Sequence, residues 1–303
     1  MSGHGESTGE ILKSLAVNVV IACAKGVAAF LSGSGAMLAE TLHSFADCGN
    51  QLLLLRGVRS ARRPADASHP LGYGRTLYFY SFIVALLLFF GGGVFSINEG
   101  VEKVLHPEHV ESITVALAIL LFSLLLEGWS CYGNIREINK RRGDKRFIRY
   151  LRDTKDSDLI VVFGENSAAV LGLLFALASL LLARETGDGR WDGIGSLAIG
   201  LVLVGVATFL AREVKSLLVG ESADPAVEAH VAAVAEADPN VERVIRVLTV
   251  QQGPGEIVVA AKLGFKAGLE TTQLVEVITD FERRLKERAP EIRWSFIEPD
   301  NAD

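Results

Sequence analysis

The chain has 303 residues, half of them hydrophobic, and a net charge of −6 at neutral pH. Its mean hydropathy is positive, at +0.33, and the apolar residues lie in long blocks, which is typical of membrane proteins and not of soluble domains. The modest negative charge argues against a nucleic-acid partner. The three cysteines lack the spacing of a disulfide framework or a zinc knuckle, so we interpret them as packing residues.

Residues 1–10 are a polar tail without the pattern of a cleaved signal peptide. Six apolar blocks follow, each long enough for a helix that crosses a bilayer, which takes about 20 residues. We therefore predict an all-α bundle of six transmembrane helices within residues 11–215. The glycine run 91–93 in the third block favours close packing against another helix. The predicted spans are 11–32, 36–58, 76–101, 112–134, 158–183 and 191–213.

The basic residues are concentrated in the loops after spans two and four. By the positive-inside rule these loops face the cytoplasm, and six spans then place both termini there. We expect a multi-pass protein of a bacterial inner membrane. The cations of the two loops are Arg56, Arg59, Arg62, Arg63, Arg75, Arg136, Lys140, Arg141, Arg142, Lys145, Arg146, Arg149, Arg152 and Lys155.

The texture of the sequence changes near Glu221, where the apolar runs shorten and charges intersperse. Residues 220–303 are therefore expected to form a cytoplasmic α+β domain with helices on one face of a sheet. A partner subunit would help its modest core. The patterns predict the order α-β-β-α-β, with helices at 225–237 and 271–288 and strands at 241–250, 256–265 and 291–297.

Span two contains several ionisable side chains. Each costs roughly 2.5–3.5 kcal/mol or more at the bilayer centre and is therefore a functional candidate. His43 and Asp47 are four residues apart and share one helical face, which Glu40 extends. An imidazole nitrogen and a carboxylate oxygen at this spacing can bind one divalent cation such as zinc. The alternative is a polar clasp, in which the two side chains only satisfy each other inside the bundle.

Span five contributes Glu165, which lies in an otherwise apolar run and must face the bundle or a wet cavity. Placed opposite span two, it would supply a third ligand, with Asn166 or water as the fourth. The alternative is that Glu165 pairs with Lys25, the cation of span one. Asn18, also in span one, is interpreted as a packing residue or as part of the mouth of a pathway.

The loop after span two offers a second pair, Asp66 and His69, three residues apart. Two such residues in a loop are a weak signal on their own, because they either bind a metal or are simply solvated. Elsewhere the sequence has no Walker-type glycine loop for ATP. It also lacks the G-x-S-x-G and H-E-x-x-H motifs of hydrolases. We therefore expect a secondary transporter and not an enzyme.

Residues 32–47, which include His43 and Asp47, resemble the second span of the cation diffusion facilitator family. Residues 66–74 resemble the first cytoplasmic loop of that family, and residues 165–172 resemble the branch that includes the mitochondrial zinc exporter. The resemblance implies a homodimeric metal/proton antiporter with six spans and a ferredoxin-like, metallochaperone-like cytoplasmic domain. It matches His43 and Asp47 to metal ligands, and Asp66 and His69 to the loop ligands of some members.

Three positions depart from the family pattern. Tyr73 stands where members with a loop site have a further histidine. Ala169 stands where the fifth span usually has an aspartate, four residues after its first ligand. The tail has a single histidine, His230, so the regulatory metal sites of other members are not expected.

These observations predict the export of zinc from the cytoplasm in exchange for protons, with no catalytic cofactor. Iron, cobalt or manganese would be carried by the same mechanism as alternatives to zinc. The expected partners are the divalent ion, protons, the lipid bilayer and a second copy of the chain. A rival hypothesis is a membrane-anchored scaffold or metal-dependent regulator acting through the C-terminal domain, but an anchor needs no buried His43, Asp47 or Glu165.

Overall fold

The computed structural model describes residues 6–108, 110, 112–154 and 157–301. The chain forms two compact units, and each is described by itself. The first consists of Met1–Gly57, Phe79–Leu151 and Asp158–Val214, and the second of Val58–Tyr78, Arg152–Ser157 and Lys215–Asp303.

In the described part of the chain, eight α-helices lie before residue 220. A π-helical segment, Leu88–Val94, joins the third to the fourth, so that Thr76–Leu105 is one continuous helix. The helices are α1 Glu6–Ser32, α2 Gly35–Ala61, α3 Thr76–Leu87, α4 Phe95–Leu105, α5 Ile113–Arg141, α6 Phe147–Asp153, α7 Ser157–Thr186 and α8 Arg190–Val219.

Four helical segments are long and apolar enough to cross a membrane, and they coincide with predicted spans three to six. They are Thr76–Leu105, Ile113–Arg141, Leu159–Thr186 and Arg190–Val219. Helices α1 and α2 cover predicted spans one and two and have 27 residues each. Helix α2 is interrupted by polar side chains, and the apolar part of α1 in the described residues is shorter, Asn18–Ser32. That these two helices also cross the membrane stays a prediction.

Glycines let α8 approach the continuous helix Thr76–Leu105 at the level of the backbone. A Cβ on Gly100 would lie 2.6 Å from the backbone nitrogen of Leu197. A Cβ on Gly200 would lie 2.8 Å from the backbone nitrogen of Ile97, and one on Gly93 would lie 2.7 Å from the side chain of Val204. Close packing at the glycine run is therefore confirmed for Gly93, and the same pattern continues along both helices.

The short helix α6 lies in the basic loop between predicted spans four and five, where no helix was predicted from the sequence. One side of the helix is apolar, with Leu151 buried and Phe147 and Tyr150 partly buried. These side chains pack against Ile138 of α5 and Phe163 of α7. The loop forms a helix because the apolar side of that helix is buried against α5 and α7, although basic residues dominate the sequence of the loop.

The C-terminal residues form the predicted order α-β-β-α-β, which is confirmed. Strand β2 lies in the centre of the sheet, antiparallel to β1 and parallel to β3, with α10 as the crossover. Alternate side chains of β2, from Ile257 to Leu263, are buried with Phe281 and Leu285 of α10 and with α9, so both helices cover one face. The elements are α9 Pro225–Glu236, β1 Val241–Gly253, β2 Glu256–Phe265, α10 Thr271–Arg288 and β3 Ile292–Pro299.

Candidate metal centre

Helix α2 carries a line of four polar side chains at positions i, i+3, i+7 and i+10, which we call the α2 polar stripe. It consists of Glu40, His43, Asp47 and Asn50, which share one helical face because of this spacing. Glu40 and Asn50 are fully buried, His43 is 1% exposed, and the Asp47 side chain is 16% exposed. The stripe therefore faces the interior of the bundle, as predicted for His43 and Asp47.

The start of α2 is held by a carboxylate from α8. Asp192 is buried and accepts hydrogen bonds from the Ser34 hydroxyl at 2.5 Å and from the backbone nitrogens of Gly35 and Ala36 at 2.6 and 3.2 Å. Lys103 of α4 lies 3.7 Å from the same carboxylate. An anion at a helix N-terminus satisfies unpaired N–H groups and interacts favourably with the helix dipole. This contact fixes the N-terminal end of α2 and therefore the position of the α2 polar stripe. It was not predicted from the sequence.

His43 and Asp47 are close but not hydrogen-bonded. His43 Nε2 lies 3.6 Å from Asp47 Oδ2, beyond normal hydrogen-bond length. Both ring nitrogens of His43 and Oδ1 of Asp47 are buried without a hydrogen-bond partner among the protein atoms described. Buried polar atoms are normally paired, so each such atom needs an explanation. The clasp alternative does not account for them, whereas a bound cation would satisfy lone pairs on both side chains.

Lys25 of α1 pairs with Glu40 and not with Glu165. Its Nζ donates to Glu40 Oε2 at 3.1 Å and to the Ser44 hydroxyl at 2.8 Å, and all three side chains are buried. The alternative pairing with Glu165 is therefore wrong, because the face of α1 that carries Lys25 contacts the N-terminal end of the α2 polar stripe, at Glu40. Glu40 Oε1 has no partner in the described residues and would lie 2.2 Å from a Cβ on Gly172 of α7.

Glu165 of α7 is held by Asn50. The carboxylate is only 8% exposed, and its Oε1 accepts a hydrogen bond from Asn50 Nδ2 at 2.7 Å. Span five thus contacts span two at Asn50, the C-terminal end of the α2 polar stripe, and the role of Glu165 as a metal ligand stays a prediction. The role of Asn50 was not predicted from the sequence. It lies three residues after Asp47 and seven after His43, a spacing that places all three on one helical face and could have indicated this role.

Asn166, predicted as a possible fourth ligand, points elsewhere. Its Nδ2 lies 3.3 Å from the hydroxyl of Ser130 on α5, and the residue is only partly buried. Neighbouring residues on a helix differ by about 100° in direction, and here Glu165 contacts α2 whereas Asn166 contacts α5. Asn18 of α1 is half-buried.

The predicted loop pair is a hydrogen-bonded turn. Asp66 Oδ1 accepts from the backbone nitrogens of Ser68 and His69 at 2.9 and 2.8 Å, and Oδ2 accepts from the Tyr73 hydroxyl at 2.7 Å. The Tyr73 hydroxyl, followed by the backbone N–H groups, lowers the pKa of the exposed Asp66 carboxyl. Arg63 lies over the Tyr73 ring, 4.5 Å from its centroid. Both Asp66 oxygens thus accept hydrogen bonds that order the loop, and metal binding by Asp66 and His69 stays a prediction.

Across the described ranges, no three His, Cys, Asp or Glu side chains lie together as a ready-made ligand set. His43 and Asp47 form a pair, and Glu165 is bound to an amide beside them. Binding one cation with all three therefore requires a rearrangement of these side chains.

Known proteins are similar to most of this chain. Residues 11–219 match the family model described as the cation efflux transmembrane domain. The chain is 30% identical over 293 residues to the mitochondrial proton-coupled zinc antiporter SLC30A9 of Homo sapiens, which covers 95% of the chain and 51% of the relative. It is 33% identical over 236 residues to metal tolerance protein C4 of Arabidopsis thaliana, covering 77% and 52%. The chain spans about half the length of these curated relatives.

Proposed function

The chain belongs to the cation efflux family, also called the cation diffusion facilitators, and we propose that it exports zinc from the cytoplasm in exchange for protons. One observation carries the proposal, namely the buried, unbonded pair His43 and Asp47 with the Glu165 carboxylate on the facing helix. The names of two similar proteins, a proton-coupled zinc antiporter and a metal tolerance protein, support it. Iron, cobalt and manganese are the alternative cargoes.

In this proposal all six long helical segments cross the membrane. Two exposed apolar side chains support the inclusion of α1 and α2, since Phe30 of α1 is 88% exposed and Leu52 of α2 is 53% exposed. Lipid is a favourable environment for such side chains, and water is not. The basic loops then lie in the cytoplasm with both termini. Residues 11–215 form the transport domain, and 220–303 form a ferredoxin-like domain through which two copies dimerise.

The coupling to protons follows from the ligand types. A cation requires a free imidazole nitrogen on His43 and ionised carboxylates on Asp47 and Glu165, so binding releases any protons that these groups hold. When the site opens to the opposite side, protons return to the same atoms and remove ligands from the ion. The bundle would alternate between two openings around a site near the middle of the membrane. One site thus serves both ions in turn, which makes the exchange obligatory.

A transport assay tests the proposal. Full-length protein in liposomes should take up ⁶⁵Zn²⁺ when a proton gradient is imposed, and Asp47→Ala and Glu165→Gln should each abolish this uptake. Glu185→Gln, which changes an exposed carboxylate at the end of the same helix α7, is the control and should transport normally. If uptake ignores the gradient and survives Asp47→Ala, antiport at this site is wrong. If no divalent ion moves, the scaffold hypothesis gains, and a parallel series with iron, cobalt and manganese identifies the cargo.

A further inference from the structure

Asn50, like Glu40, has one polar atom that is paired and one that is not. Its side chain is fully buried, and its Nδ2 donates to Glu165 Oε1 at 2.7 Å. Its Oδ1 is also buried and has no hydrogen-bond partner in the described part of the chain. A buried amide oxygen without a donor loses its hydration with nothing in return. Asn50 lies on the helical face of His43 and Asp47, which also have buried polar atoms without a partner in the described residues.

We propose that Asn50 is the fourth protein ligand of the transported divalent cation, through its Oδ1. The proposal rests on the metal site of the proposed function and adds a residue to it. Before the cation binds, the amide N–H group holds Glu165 at the level of the site. When the cation arrives, Glu165 turns toward it, and the amide oxygen of Asn50 binds the same ion.

Two rival fourth ligands are less well placed. Asn166 is bound to Ser130 of α5 and is partly exposed, whereas Asn50 reaches the Glu165 carboxylate from the helix that carries His43 and Asp47. Water would leave Asn50 Oδ1 unpaired unless it also donated to this oxygen. Direct binding to the ion satisfies the oxygen without a further molecule.

The donor set also bears on the choice of metal. One imidazole nitrogen and three oxygens form a harder set than the thiolate- and imidazole-rich sites that zinc often occupies. Amide and carboxylate oxygens suit manganese as well as zinc. We therefore expect this site to discriminate less against Mn²⁺ than the same site with an imidazole in place of Asn50.

Binding of Co²⁺ to the full-length protein in detergent tests the assignment, because its visible absorption reports both affinity and coordination geometry. Asn50→Leu should weaken Co²⁺ binding by about tenfold or more and change the spectrum. Asn50→Asp keeps an oxygen at the same place and should bind Co²⁺ within a few-fold of wild type. Asn98→Leu, which changes an exposed amide of α4, is the control and should leave affinity and spectrum unchanged. Asn166→Leu should also leave them unchanged.

The outcomes separate the ligand from the site itself. If Asn50→Leu binds Co²⁺ as wild type does, Asn50 is not a ligand, while the site of His43 and Asp47 stands. If folded Asn50→Asp and Asn50→Leu lose affinity equally, the amide acts through its N–H group on Glu165, and the ligand assignment is overturned. A loss confined to Asn166→Leu overturns it as well. If wild type binds no Co²⁺, or Asp47→Ala binds it equally well, the proposed function fails.

Discussion

Lys25 of α1 and Glu40 of α2 form an ion pair with no exposed surface, in which Nζ lies 3.1 Å from Oε2. Removing one partner of a buried pair leaves a charge without compensation and costs about 3–5 kcal/mol, whereas replacing both by apolar side chains is often neutral. We therefore expect Lys25→Met and Glu40→Leu each to lower the thermal unfolding midpoint strongly. The double variant should recover most of the loss.

A double-mutant cycle on thermal unfolding of the detergent-solubilised protein measures this coupling. The exposed pair Arg283 and Glu287 on α10, at 2.7 Å, is the control. Pairs of this kind at i, i+4 contribute about 0.3–0.5 kcal/mol, so little coupling is expected there. Strictly additive losses for Lys25→Met and Glu40→Leu would contradict a coupled buried pair.

Gly172 of α7 is expected to be necessary because it leaves space for the Glu40 carboxylate. A Cβ at this position would lie 2.2 Å from Glu40 Oε1, so Gly172→Ala forces the buried Glu40 carboxylate to move. Overpacking of this kind typically costs about 1–3 kcal/mol. We expect a lower unfolding midpoint and slower metal transport in liposomes.

Gly205→Ala is the matched control, because a Cβ on this helical glycine of α8 would meet nothing within 4 Å. Alanine is favoured over glycine in a helix by about 1 kcal/mol, so this variant should be as stable as wild type or slightly more so. Equal effects of the two substitutions would show that the helix propensity of glycine, and not the space beside Glu40, decides the result.

Much of this architecture could be predicted from the sequence, because helical periodicity and long apolar blocks are local signals. The positions of His43 and Asp47 on one buried face follow from their spacing alone. The partners of Lys25 and Glu165 could not be read in this way, since each pairing depends on how two helices are rotated against each other. Asp192 was overlooked because an acid in the first turn of an apolar helix looks like an ordinary N-terminal residue, and its contacts are with a helix 156 to 158 residues away.

Asp192 is expected to contribute to stability through the start of α2. Asp192→Ala leaves the N–H groups of Gly35 and Ala36 without an acceptor and Lys103 without its carboxylate. Loss of a helix cap costs about 0.5–2 kcal/mol. Asp192→Asn keeps one acceptor oxygen and should lie between wild type and Asp192→Ala in thermal unfolding. An order in which Asp192→Asn is the less stable variant would mean that shape at this position matters more than hydrogen bonding.

The Asp66 turn should depend on pH in a way that Tyr73 controls. The folded pKa of Asp66 is lowered, first by the Tyr73 hydroxyl and then by backbone N–H groups. A depressed folded pKa stabilises the turn above the unfolded pKa, and this contribution is lost as the pH falls through the folded value. Tyr73→Phe removes the largest cause, so its turn should open at a higher pH than that of wild type during acidification.

Hydrogen exchange of the Ser68 and His69 amides, which donate to Asp66 Oδ1, reports the opening directly. After correction for the intrinsic pH dependence of exchange, protection in wild type should persist to a lower pH than in Tyr73→Phe. Asp66→Asn should remove the pH dependence from both backgrounds, because an amide does not titrate there. The same midpoint in wild type and Tyr73→Phe would exclude the hydroxyl as the main cause, and a pH dependence that survives Asp66→Asn would show that the carboxyl of Asp66 is not the titrating group.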